Sequence, residues 1–294
     1  MFPQELIDRF IDEVAETSDP RDNLDLKSCS LVARCFRSRS QSHLLEYVQL
    51  SIRRGQTASN KIRKLREMLE TREALRKYIF CLDIKLNALA LDIDDEDVEW
   101  KFQDENLPYV LGMLPQIHQL HFGRHPLHPI PEWDRLSEDI KTALCNMRFT
   151  SPQLSFLRLS GISISVYSLV DSCKSIKEVF LSSVKMNILV PGGTSIKNEY
   201  ALEYRLEFLN IIGDGDKFPL PLALQNHQVL GGLRHFWVEI SEDCHNIRQI
   251  WNVTHIASKS LETLDLAKCF FNSIRPTFIT MDHFPSLKHL TISD

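Results

Sequence analysis

The sequence predicts an α/β fold in which a small helical segment at the N-terminus is followed by an array of short parallel strands. Two patterns lead to this prediction. Apolar residues lie at helical spacing in residues 1–50, and a strand-like motif recurs from Ile79 to Ile292. The composition agrees, because 294 residues with 43% apolar and 25% charged content suffice for one large domain or two modest ones.

Charge and cysteine usage exclude several classes of protein. Residues 1–80 contain 15 Lys/Arg and 12 Asp/Glu, whereas the remaining residues contain 19 and 27, so the acidic body does not favour nucleic-acid binding. The seven cysteines form no Cys-x-x-Cys pair, which favours reduced thiols over disulfides or zinc. No apolar run approaches the roughly 18 residues of a membrane span. We therefore expect a soluble cytoplasmic or nuclear protein with no cofactor and no membrane partner.

Three short helices are predicted in residues 1–50. Pro3 suits the first position of a helix, because its missing amide would have no partner there. Apolar residues then follow at the spacing of one helical face: Leu6, Ile7, Phe10, Ile11 and Val14. Turn-forming residues at 17–23 end this helix and supply caps for a second apolar group at 24–36, and a third segment covers 43–48. So small a unit requires either the rest of the chain or a partner to bury its apolar surface.

Three stretches of this N-terminal segment carry a resemblance to a known family. They are Phe-Pro-Gln-Glu-Leu-Ile-Asp-Arg-Phe-Ile-Asp-Glu-Val (2–14), Leu-Lys-Ser-Cys-Ser-Leu-Val-Ala-Arg-Cys-Phe-Arg (26–37) and Ser-His-Leu-Leu (42–45). The segment resembles the F-box of proteins from mushroom-forming fungi, although Phe2 stands where leucine is usual and Phe36 where tryptophan is common. The family implies that these helices bind a Skp-family adaptor, and through it a cullin. The implied contact set is Pro3, Leu6, Ile7, Leu31, Val32, Arg34 and Phe36. Alternatively, the helices only pack on the body.

Residues 51–78 are predicted to be a linker dominated by one helix at 59–79, capped by Ser59 or Asn60. Between Arg53 and Lys77 lie nine basic and three acidic residues, so the helix could touch nucleic acid, anionic lipid or an acidic protein. A solvated face with Glu/Lys and Glu/Arg pairs is the favoured interpretation. The helix then acts as a spacer between the F-box at 1–50 and the body at 79–294.

A motif of the form L-x-x-L-x-L, with other apolar residues in place of leucine, occurs eight times in the body. Successive copies begin 38, 37, 22, 30, 27, 28 and 26 residues apart, and the last five steps are close to the roughly 20–29 residues of a leucine-rich repeat. We therefore predict an irregular leucine-rich-repeat-like solenoid with a curved parallel sheet. The copies are Ile79/Leu82/Ile84, Ile117/Leu120/Phe122, Leu154/Leu157/Leu159, Ile176/Val179/Leu181, Leu206/Leu209/Ile211, Leu233/Phe236/Val238, Leu261/Leu264/Leu266 and Leu287/Leu290/Ile292.

Strand alternation predicts which residues of the body face away from its core. The residues just before, between and after the last two motif positions form three columns on that face. Their large side chains near the centre of the array have the composition of a protein-binding surface: Phe156, Arg158, Phe180, Phe208, Ile212 and Trp237. Two alternatives together are weighed evenly against a binding surface: another segment covers these residues, or the register is shifted by one residue.

Three weaker patterns carry no function. His118, His121, His125 and His128 invite a metal site, but alternation on a strand separates the first two and nearby prolines exclude a helix. The acidic run at 92–97 lacks the glycine and the final acidic residue of a calcium loop. The Gly-Gly pair at 192–193 has no phosphate-loop context, and no catalytic motif is evident.

The resemblance therefore implies a substrate-recognition subunit of a Skp–cullin–F-box ubiquitin ligase, with an unknown target protein bound by the repeats. We expect it to be a binding protein and not an enzyme. One alternative is a Skp-bound scaffold without a role in ubiquitination. Another is an enzyme built on the solenoid, which the lack of catalytic motifs disfavours.

Overall fold

A computed structural model of the chain describes residues 3–17, 23–53, 59–87, 102–124, 135–165, 176–187, 206–214, 230–241, 247–267 and 283–293. The helices within these ranges are α1 (Gln4–Thr17), α2 (Leu24–Val32), α3 (Arg34–Glu46), α4 (Asn60–Thr71), a 3₁₀-helix (Glu73–Tyr78), α5 (Leu107–Gly112), α6 (Glu138–Thr150) and α7 (Ile247–Ile256). The strands are β1 (Tyr47–Arg53), β2 (Cys81–Asn87), β3 (Gln119–Arg124), β4 (Phe156–Ser160), β5 (Ser163–Ser165), β6 (Glu178–Ser182), β7 (Lys185–Asn187), β8 (Phe208–Asp214), β9 (His235–Ser241), β10 (Thr263–Ala267) and β11 (His289–Ser293).

Nine strands form one parallel sheet in the order β1-β2-β3-β4-β6-β8-β9-β10-β11, and β5 pairs with β7 separately. The pairing aligns the motif copies without a shift, so that Leu82 lies beside Leu120 and Leu264 beside Phe236. The predicted α/β class and the parallel strands are therefore confirmed. Among the described residues, no helix is both long and apolar enough to cross a membrane.

The core lies between one side of this sheet and the helices. The first seven motif copies are buried at all three positions, each side chain being at most 5% exposed. In the eighth copy, on β11 at one edge of the sheet, Leu290 and Ile292 are 40% and 52% exposed. Helical residues complete the same apolar cluster: Ile62, Leu65 and Leu69 of α4, Leu107, Val110 and Leu111 of α5, Ile140 and Met147 of α6, and Ile250 and Val253 of α7.

Strand β1 differs from the sequence prediction, which places Val48 in the third helical segment. Leu50 and Ile52 are 2% and 1% exposed and belong to the core, and Val48 packs against it. The spacing of these three residues is the period of two that a strand produces, and it is the sequence signal that identifies β1. Strand β1 also extends across residue 50, where the prediction ends the F-box.

Two predicted helices are divided in the structure. The apolar group at 24–36 is interrupted by Ala33, whose extended backbone (φ −153°, ψ 159°) ends α2, so Phe36 lies on α3. The helix predicted at 59–79 ends at Thr71 and continues as the 3₁₀-helix after Arg72, whose φ of −137° is not helical. The predicted Arg/Glu pairs are present at Arg63–Glu67 and Arg66–Glu70.

The predicted side-chain caps do not form. Asn23 precedes α2 in the left-handed conformation and Ser59 precedes α4, and neither side chain caps its helix. The Ser59 amide instead donates to Asp104 Oδ2 at 2.8 Å. Asp104 is buried, and its other oxygen accepts hydrogen bonds from the amides of Asn106 and Leu107. One buried carboxylate therefore joins the starts of α4 and α5.

A backbone ladder joins each repeat to the next at the start of its strand. The Arg234 carbonyl, for example, accepts hydrogen bonds from the amides of Glu262 and Thr263 at 2.8 and 2.9 Å. Carbonyls in the same position do so at Phe80, His118, Ser155, Lys177, Glu207 and Glu262. These double bonds set where each strand begins relative to its neighbour, and so fix the register.

We expect Leu209→Ala to lower the free energy of unfolding by about 2–5 kcal/mol, because Leu209 is fully buried in the middle of the sheet. The matched control is Asn210→Ala, since Asn210 is the next residue and points to the opposite side. Urea unfolding of both variants measures the difference. A loss that is equal in the two variants would contradict the register.

Candidate binding surfaces

The first candidate surface lies on the three N-terminal helices. Helices α1, α2 and α3 pack together around Ile11 and Leu26, which are 0% and 2% exposed. Other apolar side chains of the same helices face water, with exposed fractions of 81% for Leu31, 73% for Val32 and 63% for Leu24. A monomer rarely exposes so many large apolar side chains on one small unit unless a partner covers them. We refer to Leu6, Phe10, Leu24, Leu31 and Val32 as the N-terminal apolar surface.

Most residues of the implied adaptor-binding set are accessible. Pro3, Leu6, Leu31, Val32 and Arg34 are exposed, while Ile7 and Phe36 are half-buried. The ring of Phe36 is covered edge-to-face by Phe10, with 6.3 Å between ring centroids. Phe10 and Leu24 are exposed apolar residues outside the implied set. Phe10 and Leu24 both belong to the apolar groups predicted from the sequence, so helical periodicity could have added them to the set.

An ionic cluster holds α1 against α3. Arg39 donates to both carboxylate oxygens of Asp12, through Nε at 2.6 Å and an Nη at 2.9 Å, and His43 Nε2 lies 2.8 Å from Oδ1. The hydrogen bonds from Arg39 and then from His43 lower the pKa of Asp12 from its ordinary 3.8 to about 2. The paired Arg39 and His43 therefore stabilise the ionised carboxylate, which in turn fixes how the two helices cross.

The second candidate surface is the face of the sheet opposite the helices, which we call the open face. The predicted columns lie beside one another there, as in the middle column, where Arg158 pairs with Phe180 and Asn210 with Trp237. The predicted partner-binding residues Phe156, Phe180, Phe208 and Trp237 are half-buried rather than fully exposed, and only Arg158 is exposed.

Contacts between side chains of neighbouring strands cover part of three of these rings, Phe156, Phe180 and Phe208. The guanidinium carbon of Arg158 lies 4.4 Å from the centre of the Phe180 ring, a cation–π contact. Phe208 stacks on His235 at 4.2 Å, and His121 is tilted against Phe156 at 5.5 Å. These contacts hold Phe156, Phe180 and Phe208 in place, so binding through these three rings would require little loss of side-chain entropy.

A pocket of about 500 Å³ opens on this face at the carboxyl ends of β2, β3, β4 and β6. Its lining is mostly polar and charged, and sequence reasoning did not identify it as a site. The side chains that carry charge or donate hydrogen bonds are Tyr47, Asp83, Lys85, His121, Arg124, Arg158, Ser160, Ser182 and Ser183. Several of these residues belong to the predicted columns. Strand alternation could therefore have indicated that they lie on the same face of the sheet.

Asp83 organises one wall of the pocket. Its carboxylate is almost buried, accepts a hydrogen bond from the Tyr47 hydroxyl at 2.5 Å and lies 3.5 Å from Lys85 Nζ. Burial, followed by this hydrogen bond, raises the pKa of Tyr47, so the phenol stays protonated. Burial also lowers the pKa of His121; the charge of Asp83 opposes this shift, and the charges of Arg158 and Lys85 add to it. His121 is therefore neutral at pH 7.

Cys81 lies close to this wall, with its sulfur 3.9 Å from His121 Nε2. Burial, and then the charge of Asp83, raises the pKa of the Cys81 thiol to about 11. The thiol is consequently protonated at neutral pH and is a weak nucleophile. In this wall it acts as a small apolar side chain.

Two glycines shape the far side of the pocket. A Cβ atom on Gly123 would lie 2.1 Å from the carbonyl oxygen of Ser160. Gly161 has a φ of +53°, and a Cβ atom there would lie 2.3 Å from Arg124 Nε. Both positions therefore require glycine, because any side chain would displace the walls of the pocket.

The weaker sequence patterns give no site in the described residues. No group of three or more His, Cys, Asp or Glu residues there could hold a metal ion. His118 is stacked on Phe80 at 4.1 Å and its Nδ1 lies 2.8 Å from the Gln116 carbonyl oxygen, on a different part of the surface from His121. His125, His128, the acidic run at 92–97 and the Gly-Gly pair at 192–193 lie outside the described residues.

Comparison of the chain with protein-family models, with curated proteins and with solved structures finds no match.

The ionic cluster predicts a specific response to acid. Because the pKa of Asp12 is about 2 in the folded protein, its contribution to stability is complete above the ordinary value of 3.8 and is lost as the pH falls toward 2. We expect Asp12→Asn to lower the melting temperature at pH 6 and to have progressively less effect toward pH 2.5. Glu13→Gln is the control, since Glu13 is exposed on the same helix. A difference between Asp12→Asn and wild type that does not change with pH would contradict the ion pair.

Proposed function

We propose that this chain is the substrate-recognition subunit of a Skp–cullin–F-box ubiquitin ligase. The observation that supports it best is the N-terminal apolar surface. Three of its five residues, Leu6, Leu31 and Val32, belong to the set that the F-box resemblance assigns to adaptor contact, and they are 54%, 81% and 73% exposed. The resemblance and the exposure are independent of each other, since one comes from the residue types and the other from the packing.

Burial of these side chains would supply the driving force for adaptor binding. Fully burying one large aliphatic side chain is worth about 1.5–3 kcal/mol relative to leaving it in water. Leu31 and Val32 are the last residues of α2, immediately before the extended Ala33. Both side chains are largely exposed, so neither is buried in the contact between α2 and α3. An adaptor groove that accepts them would gain several kcal/mol without unfolding the helices.

In this proposal the body binds the target protein through the open face. On this face the Phe180 ring lies against Arg158, and aromatic residues and arginine are enriched at the energetic centres of protein interfaces. The chain would act by proximity, because holding a target near the ligase raises its effective concentration there. Bond formation would belong to the partner subunits, and the leucine-rich-repeat-like body would serve as the receptor.

Replacing Leu6, Ile7 and Leu31 together with alanine should abolish recovery of the Skp adaptor. Each apolar contact is worth about 2–5 kcal/mol where it is buried by the partner. Co-purification of adaptor and cullin with the full chain is the measurement. The control is Leu290→Ala with Ile292→Ala, which removes exposed aliphatic side chains on β11.

Each outcome of this experiment decides between specific functions. Adaptor recovery that is unchanged in the triple variant would exclude the proposed F-box contact. Recovery of adaptor but not cullin by the wild-type chain would replace the ligase role with that of a Skp-bound scaffold. Thermal melts of the triple variant show whether its helices remain folded.

Truncation of Phe180 or Trp237 to alanine should weaken binding of the target by roughly 2 kcal/mol or more, with little change in fold stability. The neighbouring Phe236 is 1% exposed and faces the core, so Phe236→Ala should destabilise the fold by about 3–5 kcal/mol. Proteins captured with the full chain and thermal melts of the three variants measure both effects. If Phe180→Ala and Trp237→Ala melt as early as Phe236→Ala, these rings belong to the core and the target binds elsewhere.

A further inference from the structure

The pocket on the open face has a positive charge, although the chain as a whole has a net charge of −5. Lys85, Arg124 and Arg158 line it, and Asp83 is the one carboxylate among the lining residues that the structure describes. His121 adds no charge at neutral pH, because burial lowers its pKa. Three cations and one carboxylate give the lining a net charge of about +2, which concentrates anions at this part of the surface.

Arg158 is held in a position where its N–H groups can bind an anion. The central carbon of its guanidinium lies over the Phe180 ring, 4.4 Å from the ring centre. The ring contact holds the side chain in place, and a guanidinium carries several N–H donors whose geometry suits a phosphate. Arg158 lines the pocket together with Tyr47 and His121, and its side chain is exposed to solvent.

Hydroxyl donors surround the same space. Ser160, Ser182 and Ser183 line the pocket at the ends of β4 and β6, opposite Lys85. A carboxylate has only two oxygens to accept hydrogen bonds, whereas a phosphomonoester has three strong acceptor oxygens and a charge of about −1.5 to −2 at pH 7. The charge and the number of donors in the pocket both match the phosphomonoester better than the carboxylate.

We propose that this pocket binds a phosphomonoester, with Arg158, Arg124 and Lys85 supplying charge and the three serines supplying hydrogen bonds. Its volume of about 500 Å³ admits the phosphate together with the group that carries it. The phosphate has two possible sources, a phosphorylated side chain of a protein and a phosphorylated small molecule. Binding of a phosphomonoester by the pocket does not depend on adaptor binding. Only a phosphorylated protein as the source of the phosphate rests on the proposed receptor function.

Isothermal titration calorimetry of the full chain tests the proposal at constant ionic strength. The probes are inorganic phosphate, phenyl phosphate, a pentapeptide with a central phosphoserine, and the same peptide with serine. We expect the phosphorylated probes to bind and Arg158→Gln to weaken them at least about tenfold. Arg234→Gln is the matched control, because it removes the same charge from an exposed position before β9. It should leave binding unchanged.

Two further variants cover the case in which Arg158→Gln fails to fold. Lys85→Gln removes a second cation of the pocket and should also weaken the phosphorylated probes. Gly161→Ala keeps every charge but places a Cβ atom 2.3 Å from Arg124 Nε, so it should reduce binding by displacing that arginine. Thermal melts identify which variants remain folded.

The outcomes separate the two sources and can overturn the proposal. Tighter binding of the phosphopeptide than of phenyl phosphate indicates a protein source, and the reverse order indicates a small molecule. The proposal is wrong if no phosphorylated probe binds the wild-type chain, or if folded pocket variants bind as well as Arg234→Gln. Adaptor recovery is measured in a separate experiment. A failure of the phosphorylated probes to bind would therefore not affect the proposed F-box contact, and a failure to recover the adaptor would not affect the calorimetric result.

Discussion

The in-register parallel pairing of the strands is the constraint on which the rest of this molecule depends. Each strand contributes only two or three apolar residues to the core, so a single repeat cannot bury enough surface to fold. Pairing Leu82 with Leu120, and so on to Leu264, collects these residues into one cluster beneath the helices. Because alternate residues point to opposite sides, the same register assembles the open face. A shift of the register by one residue would turn the core residues to the open face and the open-face residues to the core.

The two candidate surfaces are connected through this pairing. Helix α3 ends at Glu46 and β1 begins at Tyr47, so the helices that carry the N-terminal apolar surface continue directly into the sheet. The Glu46 carbonyl accepts a hydrogen bond from the Phe80 amide, and Ser38 lies 3.2 Å from the Tyr78 hydroxyl. These contacts hold α3 against the first repeats. A protein bound on the open face would therefore keep a defined position relative to one bound by the N-terminal helices.

The sequence alone predicted the repeats, the columns and the three N-terminal helices, because each depends on local periodicity. It misplaced β1, whose alternating Val48, Leu50 and Ile52 directly follow a helical pattern and have no complete motif. It also treated Ser59 as a side-chain cap, whereas Asp104, 45 residues away in the chain, accepts the hydrogen bond from its amide. The alternation in β1 was a local signal that went unread, whereas the hydrogen-bond partner of Ser59 is distant in sequence and local propensity does not contain it.

The pocket shows most clearly which features follow from local sequence and which depend on contacts between distant residues. Periodicity determines that Asp83, His121 and Arg158 occupy one column, since each lies between two apolar residues of its own strand. Their arrangement in the pocket depends on three contacts that the sequence does not contain: Tyr47 with Asp83, Arg158 with Phe180, and the space that Gly161 leaves for Arg124. The sequence therefore determined which side of the sheet each residue faces, because that follows from a period of two. Only the tertiary structure decided which of these side chains contact one another, because contacts between strands depend on the register and on the space left by Gly123 and Gly161.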